Sequence, residues 1–125
     1  MKHVITLLIV FSISAFAQSS LPKASENYLH ALKSDNIGVL ESAVFNIVKL
    51  KLQFPQQDTD KLLAALKELS QNAGDESLRY RAYLAASFLQ QDDLRSRIKV
   101  KNHEDAEAFF VLLANTLEDE LLVSK

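Results

Sequence analysis

Apolar residues recur at helical spacing through almost all of the chain after position 23. Leu29 and Leu32 share one face of a segment running from about Ala24 to Ser34, and Asp35-Asn36 interrupts it. Asn36 can cap the following helix through its side-chain oxygen. Val39, Ala43, Ile47 and Leu50 then repeat at spacings of four, four and three, an amphipathic stripe. Lys49 and Lys51 occupy the last turn of that helix, where cations complement the dipole. Pro55 drives Phe54 out of helical geometry and ends the element.

The second half follows the same plan. Asp58 or Thr59 caps a helix whose apolar face is Leu62, Leu63, Leu66 and Leu69. Gly74-Asp75 supplies the turn, and Leu78, Ala82, Ala86 and Leu89 form the next stripe. The second helices superimpose as Val39/Leu78, Ala43/Ala82, Ile47/Ala86 and Leu50/Leu89, all offset by 39, and the first helices as Leu29/Leu66 and Leu32/Leu69, offset by 37. Matching stripes on both members of each pair predict two similar helical hairpins, over 24–53 and 58–91, stacked side by side. The small residues at mid-stripe, Ala43 and Ala82 with Ala85-Ala86, allow helix axes to approach near the lower end of the roughly 8–10 Å range.

Two segments carry a family likeness. Ser34-Asp35-Asn36-Ile37-Gly38-Val39-Leu40-Glu41-Ser42-Ala43 and Gly74-Asp75-Glu76-Ser77-Leu78-Arg79-Tyr80-Arg81-Ala82 resemble the inter-helix turn and second-helix start of HEAT repeats. The resemblance covers about residues 24 to 90. It implies an all-α fold, a short right-handed α-α superhelix of two HEAT-like hairpins, whose function lies in its surface and not in a reaction. By the same resemblance Arg79 would contact the acidic turn of a neighbouring repeat, here Asp35. The first repeat departs from the pattern, with Leu40 where the Arg is expected, which is tolerable where no preceding repeat offers a partner.

From Leu94 the period changes. Leu94, Ser96, Ile98 and Val100 alternate with Arg95, Arg97, Lys99 and Lys101, a period of two that predicts an extended connector over 92–102. Such a segment either lies along the domain with its cations solvated or docks an acidic partner. Asn102 then caps a helix over 103–123, with Glu104, Asp105 and Glu107 in its first turn. Phe109, Phe110, Leu113, Leu117, Leu121 and Leu122 form its apolar face, broadened by Val111 and Leu112. Two hairpins leave an open face, and this helix is the expected lid.

The first 17 residues stand apart. A positive start at Lys2, an apolar run from Val4 to Ile13 and a terminal Ala15-Phe16-Ala17 have the form of a secretory signal peptide, leaving residues 18–125 as one helical domain. About ten apolar residues rise about 15 Å as a helix, half a hydrocarbon core, which argues against a permanent span. The chain has no Cys and no Asn-x-Ser/Thr acceptor, a combination that favours a bacterial periplasm or the external medium.

Charge and composition narrow the chemistry further. Fourteen Lys and Arg stand against 16 Asp and Glu, so nothing draws the chain as a whole to nucleic acid. The lack of Cys removes thiolate zinc sites, iron–sulfur clusters and cysteine nucleophiles. His30 and His103 sit in different elements and form no ligand pair, and two glycines in all cannot build a phosphate loop. The reading is therefore of a non-enzyme without cofactor or metal. Its partner would be an acidic protein meeting the basic residues Arg79, Arg81, Arg95, Arg97, Lys99 and Lys101. The alternative is a small apolar-ligand carrier with a cavity under the C-terminal helix.

Overall fold

Helix boundaries fall where the capping side chains put them. The computed structural model describes residues 23–98 and 105–123, so the expected leader at 1–17 and the segment 99–104 lie outside the described residues. All regular structure among the described residues is helical, which makes the fold all-α. Helix α1 covers 23–31. It is followed by α2 (Ile37–Gln53), α3 (Asp60–Asn72), α4 (Glu76–Gln90), the short α5 (Asp92–Arg97) and α6 (Ala106–Val123).

The two hairpins, α1–α2 and α3–α4, are closed by similar means. The Asn36 side chain accepts the Val39 N–H at 3.2 Å, and the Asp75 carboxylate accepts the Leu78 N–H at 2.8 Å. Each satisfies one of the donors a helix start leaves open. Gly74 turns the chain with a negative φ, so the second turn makes no use of left-handed backbone. Thr59 stands at the N-cap of α3, and the neighbouring Asp58 carboxylate accepts the Asp60 N–H at 3.0 Å. Helix α2 ends at Gln53 and Phe54 leaves helical geometry at φ −131°, as Pro55 demands.

Helix α4 sits at the centre. It packs against α2, α3, α5 and α6, and every residue from Leu84 to Leu89 is buried. Ala43, Ile47 and Leu50 of α2 are buried, as are their counterparts Ala82, Ala86 and Leu89 of α4. The first pair of the expected stripe behaves differently: Val39 is 42% exposed, whereas Leu78 is 1% exposed. Helix α2 is flanked by α4 on one side, and its outer side carries only a shallow groove lined by Tyr28, Ala31, Val39 and Ser42. The buried arc of α2 is consequently rotated by one residue, and Leu40 enters the core in place of Val39.

The expected connector over 92–102 is corrected at its start. Asp92–Arg97 is a helix, not an extended segment. Alternation in the sequence hid an i, i+4 pair, Leu94 and Ile98, both buried against the core. Asp92 and Asp93 favour the helix N-terminus, and Arg95 forms an i, i+3 ion pair with Asp92. The last helix starts at Ala106, later than expected. Asp105 is its cap, its carboxylate accepting the Ala108 N–H at 3.1 Å; Asn102 lies outside the described residues. Phe109, Phe110, Leu113 and Leu117 are buried as a lid would require, while Val111 and Leu112 stay exposed on the opposite face.

Ala43 and Ala82 lie in closely packed surroundings, with 3% and 0% of their surface exposed. Replacing either by Leu is expected to overpack the hairpins and lower stability by about 1–3 kcal/mol. Urea denaturation followed by far-ultraviolet circular dichroism checks this, and midpoints equal to the wild type would contradict the packing.

Candidate functional site

The described cations of the expected basic surface are engaged by the protein itself. Arg79, in the first turn of α4, donates through Nη1 to the carbonyls of Ala73 at 2.7 Å and Gly74 at 3.2 Å. Its bonds thus go to the turn of its own hairpin. Arg81 pairs with Glu107 of α6 and lies over the Phe110 ring, 5.3 Å from its centroid, tying α4 to the lid. Arg95 donates to the carbonyls of Phe88 at 2.9 Å and Leu89 at 2.8 Å. Arg97 is exposed in the last turn of α5, and Lys99 and Lys101 lie outside the described residues. Arg79 and Arg95 serve opposite ends of α4, about 20 Å apart along a 15-residue helix. The structure does not gather them on one face.

Arg95 has a specific task. A helix end leaves carbonyls without intrahelical donors, and Phe88 and Leu89 in the last turn of α4 are buried. The Gln91 N–H takes the Ser87 carbonyl at 3.0 Å, and the Arg95 guanidinium takes the next two. Burial pulls the Arg95 pKa down from its ordinary value. At the neighbouring end of α2, Lys51 is buried and donates through Nζ to the Gln57 carbonyl at 3.1 Å, fixing the loop after Pro55. Its pKa is lowered, first by burial and then by the Arg95 charge, against the opposing pull of Asp58 and Asp60.

A concavity lies at the other end of α4. A cleft of about 880 Å³, open to solvent, is framed by the two inter-helix turns, 34–36 and 73–75. Its floor is made by Leu29, Leu32, Leu40, Leu69 and Leu78. Asp35, Glu68 and Asp75 stand around it with Lys33. Ile37 is 50% exposed on this rim, a large aliphatic side chain left in water. Nothing in the spacing of the sequence distinguished Ile37 from its helix, because it precedes the first residue of the amphipathic stripe. The cleft itself arises only when the two turns are set side by side.

Beneath α6, where a carrier would need its cavity, four rings pack together. Phe109 lies 5.8 Å from Phe88, 5.7 Å from Phe110 and 6.2 Å from Phe45, which is also 6.2 Å from Phe110. Among the described residues no group of three or more His, Asp and Glu is placed to hold a metal ion, and His30 is exposed. No helix among them is long and apolar enough to cross a membrane. The chain matches no known protein family, no curated protein and no solved structure.

Two outcomes follow for the charged ends. Arg95→Gln is expected to destabilise the fold by about 1.5–3 kcal/mol, because two buried carbonyls lose a charge-assisted donor; urea denaturation measures it. For Lys51, the folded pKa lies below the ordinary 10.5, so between these two values the unfolded chain binds more protons. Stability of the wild type relative to Lys51→Met should therefore rise as pH increases through that window. A difference between the two proteins that stays constant from about pH 7.5 to pH 10.5 would contradict the lowered pKa.

Proposed function

We propose that the protein is an exported, non-enzymatic helical-repeat module, built of two HEAT-like hairpins in a short right-handed superhelix, that works by binding another protein. The observation that carries the reading is the solvent-open cleft between the paired turns, with Leu29 and Leu69 partly exposed in it and Ile37 exposed on its rim. A side chain of this size left half in water, beside a concave floor of leucines, costs solvation free energy that a partner can recover. The tandem hairpins supply the rigidity, since the buried stripes of α2 and α4 hold both turns in fixed relation. Two hairpins make a short array. A footprint under about 1,000 Å² implies a transient complex, formed and released readily.

The basic residues take a smaller part in this reading than the sequence alone assigns them. Arg79, Arg81 and Arg95 are occupied within the fold, and their loss would weaken the protein before it touched any partner. Binding is accordingly assigned to the cleft.

The test places a photoreactive amino acid at Ile37 and, as a control, at Glu118 on the exposed face of α6. Irradiation in the host's envelope should give one discrete protein adduct from position 37 and none of the same mass from 118. Absence of any adduct, or the same set from both positions, would overturn the assignment. A melting temperature raised by lipid extract and not by protein would favour the carrier instead.

A further inference from the structure

We infer that the cleft receives a segment of its protein partner that combines aliphatic side chains with Lys or Arg. The inference rests on the interaction reading above and goes on to name the partner's chemistry. The floor sets the first requirement: Leu29 and Leu69, partly buried over the core residues Leu32, Leu40 and Leu78, favour aliphatic side chains. The rim sets the second. Three carboxylates, Asp35, Glu68 and Asp75, line the cleft against a single ammonium, that of Lys33.

The surrounding backbone adds to this sign. The starts of α2 and α4 open onto the cleft, and an anion would need their free N–H groups. Those at Val39 and Leu78 are already taken by Asn36 and Asp75. Asp75 spends part of its carboxylate on that bond, whereas Asp35 and Glu68 are exposed to an incoming charge. Arg79, the nearest cation outside the lining, is turned onto the Ala73 and Gly74 carbonyls. An acidic segment would therefore meet an excess of carboxylates, and a basic one would meet complementary charge beside an apolar seat.

The chain carries its own reporters. It has two glycines. Gly74 lines the cleft, with open space where a side chain would project, and Gly38 lies on the shallow groove at the far side of the α1–α2 turn. Glycine amides fall in a sparse region of an amide nitrogen–proton correlation spectrum, so both can be followed during a titration. The probes are two synthetic helical peptides with the same leucine positions, one carrying Lys and Arg between them and the other Glu.

The basic peptide should shift Gly74 and leave Gly38 in place, with saturation below about 1 mM. The acidic peptide should bind at least about tenfold more weakly, and Asp35→Lys with Glu68→Lys, both on exposed side chains, should reverse the preference. A Gly74 signal unmoved by the basic peptide at about 1 mM, or moved equally by both peptides, would overturn the inference. The two readings fail separately: absence of any envelope adduct at position 37 overturns the interaction reading, whereas an adduct that forms and persists alongside Asp35→Lys and Glu68→Lys overturns this inference alone, the module then binding a partner by other chemistry.

Discussion

Burying the stretch Leu84 to Leu89 of α4 on all of its sides is the constraint from which the rest of the structure follows. A helix ordinarily faces the core with one stripe and water with the other, yet here six successive residues, Leu84 to Leu89, are withdrawn from solvent. Four neighbouring helices are needed to cover such a segment, and α2, α3, α5 and α6 do so. The side chains facing them must be small on some sides, which Ala85, Ala86 and Ser87 provide, so that bulky Phe88 and Leu84 can be accommodated on others. Covering is therefore inseparable from composition: without the alanines the surrounding helices could not all reach the same axis.

Complete burial creates a second problem at the end of the helix. Carbonyls that would be hydrated at a surface terminus must find donors within the protein. The chain answers by folding straight back as α5, which returns Arg95 to the Phe88 and Leu89 carbonyls within six or seven residues. Lys51 does comparable work at the end of α2, for the loop carbonyl of Gln57. The ends of α2 and α4 lie near one another, and the partial negative charges of two helix C-termini make this region favourable for cations. It is also where the two cations feel one another, and the depressed pKa of Lys51 records both that repulsion and its burial. Asp58 and Asp60 moderate the repulsion from the loop side.

Much of the fold could be read from local chemistry. Asn36, Asp75 and Pro55 mark their boundaries because capping and proline geometry act over three or four residues, and their neighbours are fixed by the sequence itself. The misplaced features depend on who stands next to whom. Val39 matches Leu78 in the repeat, but only Leu78 has a helix on each flank, so the same pattern position is outside in one hairpin and inside in the other. Segment 94–98 alternates like a strand, and only the demand of the buried α4 terminus for a donor, together with the apolar seat for Leu94 and Ile98, makes it helical. Arg79 and Arg95, two of the cations read as a docking surface, donate to main-chain oxygens, a use that spacing along the chain does not disclose. The cleft was hidden for the same reason, since its walls come from two turns nearly forty residues apart.

The asymmetry of the molecule then bears on what it does. At one end of α4 the chain uses Arg95 from α5 and Lys51 to bond the Phe88, Leu89 and Gln57 carbonyls, and beyond it the phenylalanines under α6 close the side. At the other end Asn36 and Asp75 each accept an N–H of the helix they cap and Arg79 takes two carbonyls of the second turn, while Leu29 and Leu69 are left only partly covered between the turns. Polar satisfaction without apolar coverage is a surface that is stable in water and still has hydrophobic free energy to release on contact. A core defect would show unpaired polar atoms as well; a surface meant for a partner would not. The turn end of the hairpins has the second character, and for that reason the proposed binding surface lies there and not on the basic residues.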